Sequence, residues 1–292
     1  MVVFFKWYIY PLIIFCAWIL LTSSTFSQLD SINYYRQLIN LDGYLFTGYY
    51  SVHNVNQIVS NDLINKHILI FTAHPDDESM FFAPTITELT KENYNNHFHI
   101  VCLSNGGMNG LGHIREKELQ RAAKLFGVTS AKTLDYEDNI NSMWDTTSVA
   151  NTISNEVETL KNNYNIDDHL IVLITFDKEG ISQHPNHKSL YNGLVEFKKS
   201  SAITTYALVS WNMLHKYSGL LITDVQLVMI NIAKKLNWDK PSEGNVIIFS
   251  DLNTIFLNLS AMSWAHYSQI VWFRWIWILI SRYMNANELV KL

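Results

Sequence analysis

Cysteine is nearly absent, with two residues, Cys16 and Cys102, in a chain of 292. Cys16 lies in an apolar N-terminal run and Cys102 in a run that reads as a buried strand, so neither a disulfide framework nor a cysteine-based zinc site follows. Any bound metal must be held by histidine and carboxylate. Charge is also thin, at 16% of residues, and the net balance is −5. That balance argues against a nucleic-acid partner gripped by phosphate neutralisation. There is no internal repeat and no extended low-complexity tract; the asparagines of 93–96 read as a polar loop. What the chain does have is apolar residue, 48% of the total, enough for one substantial domain or a domain plus a small appendage.

The N-terminal run from Trp7 to Leu21 is almost wholly apolar. As a helix it would reach about 22 Å, short of a hydrocarbon core of about 30 Å. Extended from Val2 to Phe26 it is long enough, with Lys6 snorkelling to the headgroups and Trp7, Tyr8 and Tyr10 at the interface. Residues 1–27 are therefore expected to form a transmembrane anchor, in preference to a cleaved signal peptide ending in the small, polar stretch Thr22 to Ser27. Residues 28–65 read as a connector and 66–292 as the main domain. The one glycosylation sequon, Asn258-Leu259-Ser260, favours a domain on the cytosolic side. A second apolar run, Ile270 to Ile280, is too short to span and is interrupted by Arg274. It reads equally as a buried core helix or as an interfacial helix.

Short continuous apolar runs at His67 to Thr72, Phe98 to Leu103 and Leu170 to Phe176, with a weaker one at Ile203 to Val209, fit strands buried on both faces. Helical patterns alternate with them: Met80 to Lys91, Ile114 to Phe126 closed by Gly127, Val149 to Asn162, and His187 to Lys199. This alternation predicts an α/β fold of Rossmann-like type, a mostly parallel sheet with helices on both faces. Such sheets bind ligands beyond the carboxyl ends of their strands.

The chemistry-bearing residues sit at those ends. Directly after the first strand comes Ala73-His74-Pro75-Asp76-Asp77-Glu78. His74 and Asp77, three apart, can aim at one point from a turn. Histidine, aspartate and a second histidine form a common three-ligand set for catalytic zinc. The second histidine is available after the strand ending at Phe176, in Gln183-His184-Pro185-Asn186-His187. His187 would complete the triad, with His184 one turn away and free of the metal. Either motif alone reads more readily as helix-start acids or surface histidines; both together, at two strand ends of one sheet, favour a metal site. A third strand end carries Ser104-Asn105-Gly106-Gly107 and then Arg115. The glycines free that backbone to approach a ligand, and Arg115 can bind phosphate or sugar hydroxyls, against a bland alternative of a loop whose arginine pairs with Glu116 or Glu118. His266 reads as a core histidine.

Ala-His-Pro-Asp-Asp-Glu followed by His-Pro-Asn-His resembles the LmbE-like zinc de-N-acetylases. The eukaryotic branch, which acts on N-acetylglucosaminyl-phosphatidylinositol in the second step of glycosylphosphatidylinositol-anchor synthesis, is closer still. The likeness covers roughly residues 67–285 and extends to Thr175-Phe176-Asp177, to His266-Tyr267-Ser268-Gln269, to Trp272-Phe273-Arg274 and to Ser281-Arg282-Tyr283-Met284. It implies His74, Asp77 and His187 as ligands of a divalent metal, zinc for preference. It implies Asp76 as general base, and His184 as the group that stabilises the oxyanion and serves as acid. Asn105 and Arg115, in the matching glycine-rich segment, are the candidate substrate contacts. Bacterial members often have aspartate where this chain has Asn186. If protonated, His184 would offer a charged donor to the developing oxyanion. The branch further implies a glycolipid substrate held in a membrane and residence in the endoplasmic reticulum membrane, single-pass, with the catalytic domain facing the cytoplasm. The alternatives are a de-N-acetylase of a soluble amino-sugar conjugate and a non-catalytic, membrane-tethered α/β binding domain.

Overall fold

The sheet is built around two strands that are buried at every position, β1 (His67–Thr72) and, in sequence order, the fourth, β4 (Ile171–Phe176). The remaining strands are β2 (His97–Cys102), β3 (Ser130–Thr133), β5 (Thr204–Leu208), β6 (Asn245–Phe249) and β7 (Ala286–Lys291). The helices are α1 (Val2–Thr22), α2 (Asp77–Met80), α3 (Ala83–Leu89), α4 (Gly112–Leu125), α5 (Thr146–Tyr164), α6 (Gly180–Gln183), α7 (Pro185–Lys198), α8 (Met213–Lys216), α9 (Leu220–Lys235), α10 (Leu252–Ser260) and α11 (Trp272–Ile280). This computed structural model describes residues 2–22, 61–236 and 245–292. Most of the expected connector, 28–65, lies outside the described residues, as do both ends of the expected anchor, 1–27.

The seven strands run in the order β3-β2-β1-β4-β5-β7-β6. β1 to β5 are mutually parallel, and β7 is antiparallel to both β5 and β6. The α/β expectation with a mostly parallel sheet is therefore met. The order also carries the site. From β1 the chain moves outward through β2 and β3 on one side, then returns to place β4 on the other side of β1. The carboxyl ends of β1 and β4 flank the point where the direction of winding reverses, where open α/β sheets leave a crevice.

The expected helix over Met80 to Lys91 is two helices. α2 ends at Met80, Phe81–Phe82 break the path, and α3 restarts with Pro84 in its first turn, a position proline tolerates because its missing N–H would be unpaired there anyway. Asn287 of β7 stitches the break, donating to the Phe81 carbonyl at 2.8 Å while its Oδ1 accepts from the Thr85 hydroxyl at 2.7 Å.

Among the described residues no helix is long and apolar enough to cross a membrane. α1 lies against the domain, where Trp18 is fully buried with Leu227, Phe249 and Ala286, while Ile9, Tyr10, Leu12 and Ile13 remain exposed. The run at 270–280 divides the two readings given for it. Trp277 and Ile278 of α11 are buried, and Trp272, Phe273, Trp275, Ile276 and Leu279 are exposed.

α5 and α7 approach closely at Gly193, where an added Cβ would meet Val149 Cγ1 at 2.2 Å. Alanine would gain about 1 kcal/mol in helix propensity, but the overlap involves the stiff, β-branched Val149 and outweighs it, since overpacking costs about 1–3 kcal/mol. Gly193→Ala is expected to lower the urea midpoint of unfolding; an unchanged or raised midpoint would show that the two helices can part freely.

Candidate active site

The turn after β1 folds back on its own acids. Asp77 Oδ2 accepts from the backbone N–H groups of Ala73 and His74, each at 2.9 Å. This leaves Oδ1 facing outward, 3.3 Å from His187 Nε2, while Oδ2 lies 3.7 Å from His74 Nδ1. His74, Asp77 and His187, the three proposed ligands, thus meet across the β1–β4 boundary, and all three are buried. Burial alone would raise the Asp77 pKa, but His187 and His74 override it and hold the carboxyl well below the usual range.

His187 reaches the site from the first turn of α7 with its ring stacked on Phe176, centroids 4.0 Å apart. Its Nδ1 pairs with the Gly180 carbonyl at 3.0 Å, so Nδ1 carries a proton and, in the neutral ring that a metal requires, Nε2 is the atom free to bind. Gly180 permits this approach. Its φ is +59°, and a Cβ there would stand 2.8 Å from the Cβ of His187. Two non-glycine residues nearby also have left-handed backbone, Ile181 with φ 58° and Gln183 with φ 62°. For a β-branched residue this is a strained state held by its surroundings. The Ser210 hydroxyl accepts from Ile181 N at 2.7 Å, and Lys216 Nζ donates to the Ile181 carbonyl at 3.1 Å.

His184 joins the group instead of standing apart. It offers a ring nitrogen that lies within 4.8 Å of those of His74 and His187, the three forming a set able to hold a metal ion. Burial, followed by the neighbouring His74 and His187, pushes its pKa down to about 4. The expected charged donor is therefore corrected: at neutral pH His184 is an uncharged imidazole. Its Nδ1 accepts from Asn186 N at 3.2 Å, which places the proton on Nε2. Asn186 keeps that turn in place by donating from Nδ2 to the Glu137 carbonyl at 3.2 Å.

Asp76 has φ 135°, an unfavourable backbone state for a residue with a side chain, and is buried. Its carboxylate sits between two arginines. Arg115 Nη2 is 3.3 Å from Oδ1 and Arg274 Nη2 is 2.8 Å from Oδ2. Arg115 also donates to the carbonyls of Pro75 and Gly106, at 2.8 and 3.0 Å, tying the β1 and β2 turns together. Asn105 packs within its own loop, its side chain against Gly107 and Gly112.

Four contributors were not assigned to the site from sequence. Asp138 Oδ1 lies 3.1 Å from His74 Nε2 and its Oδ2 3.6 Å from Arg115 Nη1. It follows β3, a strand whose half-exposed four residues gave no apolar run; recognising that strand would have flagged the acid at its carboxyl end. Arg274 comes from α11. Glu78 and His266 form the base of the turn. Glu78 Oε2 accepts from Asp76 N at 3.0 Å, and Oε1 accepts from the Ser79 hydroxyl at 2.7 Å and pairs with His266 Nε2. His266 is thus the core histidine expected, with a defined duty. Burial would lower its pKa, but Glu78 overrides it and raises it; burial would raise Glu78, and His266 overrides it and lowers it.

The residues fit a divalent cation. His74 Nε2 and His187 Nε2 are buried and face carboxylate oxygens, Asp138 Oδ1 at 3.1 Å and Asp77 Oδ1 at 3.3 Å, but neither makes a well-directed hydrogen bond among the described residues, whereas buried polar atoms are otherwise almost always satisfied. Imidazole and carboxylate donors suit zinc and iron alike.

An α/β domain whose switch-point crevice gathers three histidines and an aspartate beside a second, arginine-flanked aspartate has the equipment of a hydrolase. The family model for PIG-L, GlcNAc-PI de-N-acetylase, matches residues 69–198. The probable N-acetylglucosaminyl-phosphatidylinositol de-N-acetylase of Schizosaccharomyces pombe is 37% identical over 247 residues, covering 82% of this chain and 93% of that protein. The N-acetylglucosaminyl-phosphatidylinositol de-N-acetylase of Arthroderma benhamiae is 30% identical over 294 residues, covering 78% and 88%. Among solved structures, the A40926 pseudoaglycone deacetylase Dbv21 shares the fold with a TM-score of 0.53 at 12% identity, covering 78% of this chain and 98% of that one. The chain belongs to the GlcNAc-PI de-N-acetylase family.

The buried Glu78–His266 pair supplies a test. Breaking such a pair from one side costs about 3–5 kcal/mol, so His266→Ala is expected to lower stability by that order. Raised in the fold, His266 stabilises fully below its ordinary 6.5, and the contribution fades as pH rises through its elevated value. Lowered in the fold, Glu78 stabilises above its ordinary 4.5, and the contribution fades as pH falls through its depressed value. The gap in Tm between the native chain and the variant is expected to be widest from pH 4.5 to 6.5; a gap independent of pH would mean the pair is not ionic.

Proposed function

We propose that this protein hydrolyses the acetamide of N-acetylglucosaminyl-phosphatidylinositol, the second step of glycosylphosphatidylinositol-anchor biosynthesis. The observation that carries the reading is the convergence of His74, Asp77 and His187 beside Asp76, in a chain whose family relatives bear that activity in their names.

His74, Asp77 and His187 would hold the metal, zinc for preference. When bound, the cation would polarise the acetyl carbonyl and make water acidic enough to surrender a proton near neutral pH. Asp76 takes the proton from the attacking water as its oxygen bonds to the carbonyl carbon. Arg115 and Arg274 fix the direction in which that carboxylate points. His184, neutral with its proton on Nε2, donates a hydrogen bond to the oxygen of the tetrahedral intermediate. A preorganised donor of this kind is worth about 2.7–4 kcal/mol. As the C–N bond breaks, protonated Asp76 returns its proton to the departing amine, leaving acetate and the free amino sugar. Asn105 is the proposed contact to the sugar, whereas Arg115, whose terminal nitrogens are held by Pro75, Gly106 and the flanking carboxylates, serves to position Asp76.

The setting follows from the same reading. The glycolipid is held in the endoplasmic reticulum membrane, residues 1–27, both ends of which lie outside the described residues, act as a single-pass anchor, and the catalytic domain faces the cytoplasm. The exposed apolar residues of α1 and the exposed tryptophans of α11 support contact with lipid, since indole rings favour the membrane–water interface.

Acetate release from lipid-linked N-acetylglucosamine, with and without a chelator, tests the function. Release that the chelator abolishes and zinc restores is expected; no release from the metal-loaded chain would reject the reading. Two variants separate the roles. Asp76→Asn should lose turnover by several orders of magnitude while retaining metal, and near-native turnover would remove Asp76 as base. His187→Ala should lose its metal by elemental analysis, and full occupancy would overturn the ligand set.

A further inference from the structure

The substrate class proposed above carries one permanent anion, the phosphodiester on the inositol that bears the sugar, and the crevice facing it is lined with acids: Asp76, Asp77, Glu78 and Asp138 are all in or beside the site. An anion brought there needs a cation with hydrogen-bond donors to spare. Arg115 has both terminal nitrogens committed to backbone carbonyls and flanking carboxylates, which leaves only its buried Nε without a partner. Lys216 is buried beneath the Trp277 ring, 5.3 Å from its centroid, with Nζ turned to the Ile181 carbonyl.

Arg274 is different. Only Nη2 is used, on Asp76 Oδ2 at 2.8 Å. Nε and Nη1 are buried atoms with no hydrogen-bond partner among the described residues. Guanidinium donors left without acceptors are costly, and their presence beside the proposed base, on a side chain that stays 16% exposed, points to a ligand. The side chain is also well placed to be rigid. α11 is pinned by Trp277, whose ring packs edge-on to Phe81 just beyond the Asp76 turn, centroids 5.6 Å apart, and stacks parallel to Tyr283. The same helix exposes Trp272, Trp275 and Leu279, so the arginine stands where a lipid-borne phosphodiester would arrive.

We propose that Arg274 recognises the phosphodiester of the substrate through its free Nε and Nη1 groups while Nη2 stays on Asp76, so that one guanidinium reads the anion and aligns the base. The inference rests on the functional reading above. It makes Arg274 the residue that separates a phosphoinositol-linked amino sugar from a neutral one.

The test uses the full chain, metal-loaded, and two water-soluble substrates that differ only in the anion: N-acetylglucosaminyl-glycerophosphoinositol and N-acetylglucosaminyl-inositol. Arg274→Gln is expected to lower kcat for both substrates alike, through the lost contact to Asp76, and to raise KM for the phosphodiester substrate by about ten- to a hundred-fold more than for the phosphate-free one, the range of a lost charged hydrogen bond. Arg274→Lys, which keeps the charge without the planar fork, should recover part of the KM loss. Binding of glycerophosphoinositol, followed by calorimetry, should weaken in parallel without any turnover. Equal KM changes for the two substrates, or undiminished glycerophosphoinositol binding by Arg274→Gln, would overturn the assignment and leave the deacetylase reading standing. Absence of acetate release from both substrates by the native chain would overturn that reading and this inference together.

Discussion

The site depends on one pairing, that of β1 with β4. The two strands run parallel in the register His67↔Ile171 to Ile70↔Ile174, although the intervening chain has already made β2 and β3 on the opposite side of β1. This pairing sets two distant loops at a common edge of the sheet, so that His74 and Asp77 from one meet His187 and His184 from the other. Both strands are buried throughout, so a slip of one residue would exchange the side chains packed on the two faces of the sheet. The Thr175 hydroxyl adds a cross-strand bond to the Phe71 carbonyl at 2.8 Å, at the end of the strands nearest the site.

Around that edge the backbone is strained at Asp76 and at Ile181, and each strained turn is held from another part of the chain. The Asp76 turn rests on Glu78, which is held by His266. The Ile181 turn is held by Ser210 and Lys216, from the segments after β5. The late third of the chain therefore does more than close the fold. It supplies the ionic support of the first loop, the hydrogen-bonded support of the second, and Arg274 against the carboxylate between them. Preorganisation of that kind lets hydrogen-bonding groups meet developing charge without rearranging.

How much of this was legible follows from where the information lies. The runs for β1, β2, β4 and β5 are apolar because both faces are covered, and their limits in sequence lie within about two residues of the observed strands. β3 is short and half exposed. β7 is interrupted by Asn287 and Glu288 and left no continuous run to see, whereas β6 does carry one, Val246-Ile247-Ile248-Phe249, that was not read as a strand. The helix expected from Met80 onward was broken by the needs of its tertiary neighbour Asn287. Of the site, His74, Asp76 and Asp77 could be named because they lie within five residues of the end of β1, and His184 and His187 because they open the segment that follows β4, eight and eleven residues past its end. Arg274 and Asp138 could not be placed, since the contact between residues 76 and 274 spans 198 positions and has no local signature. The neutral state of His184 was equally out of reach, because it arises from burial and from two histidines that only the fold brings near.

The central claim is that the loops after β1 and β4 share one cation. Anomalous scattering from zinc-soaked crystals of the protein tests it most directly. The account predicts a single strong peak at coordinating distance, about 2.0–2.2 Å, from the side chains of His74, Asp77 and His187. A peak bound by only one of the two loops, or no peak in the crevice at saturating zinc, would contradict it.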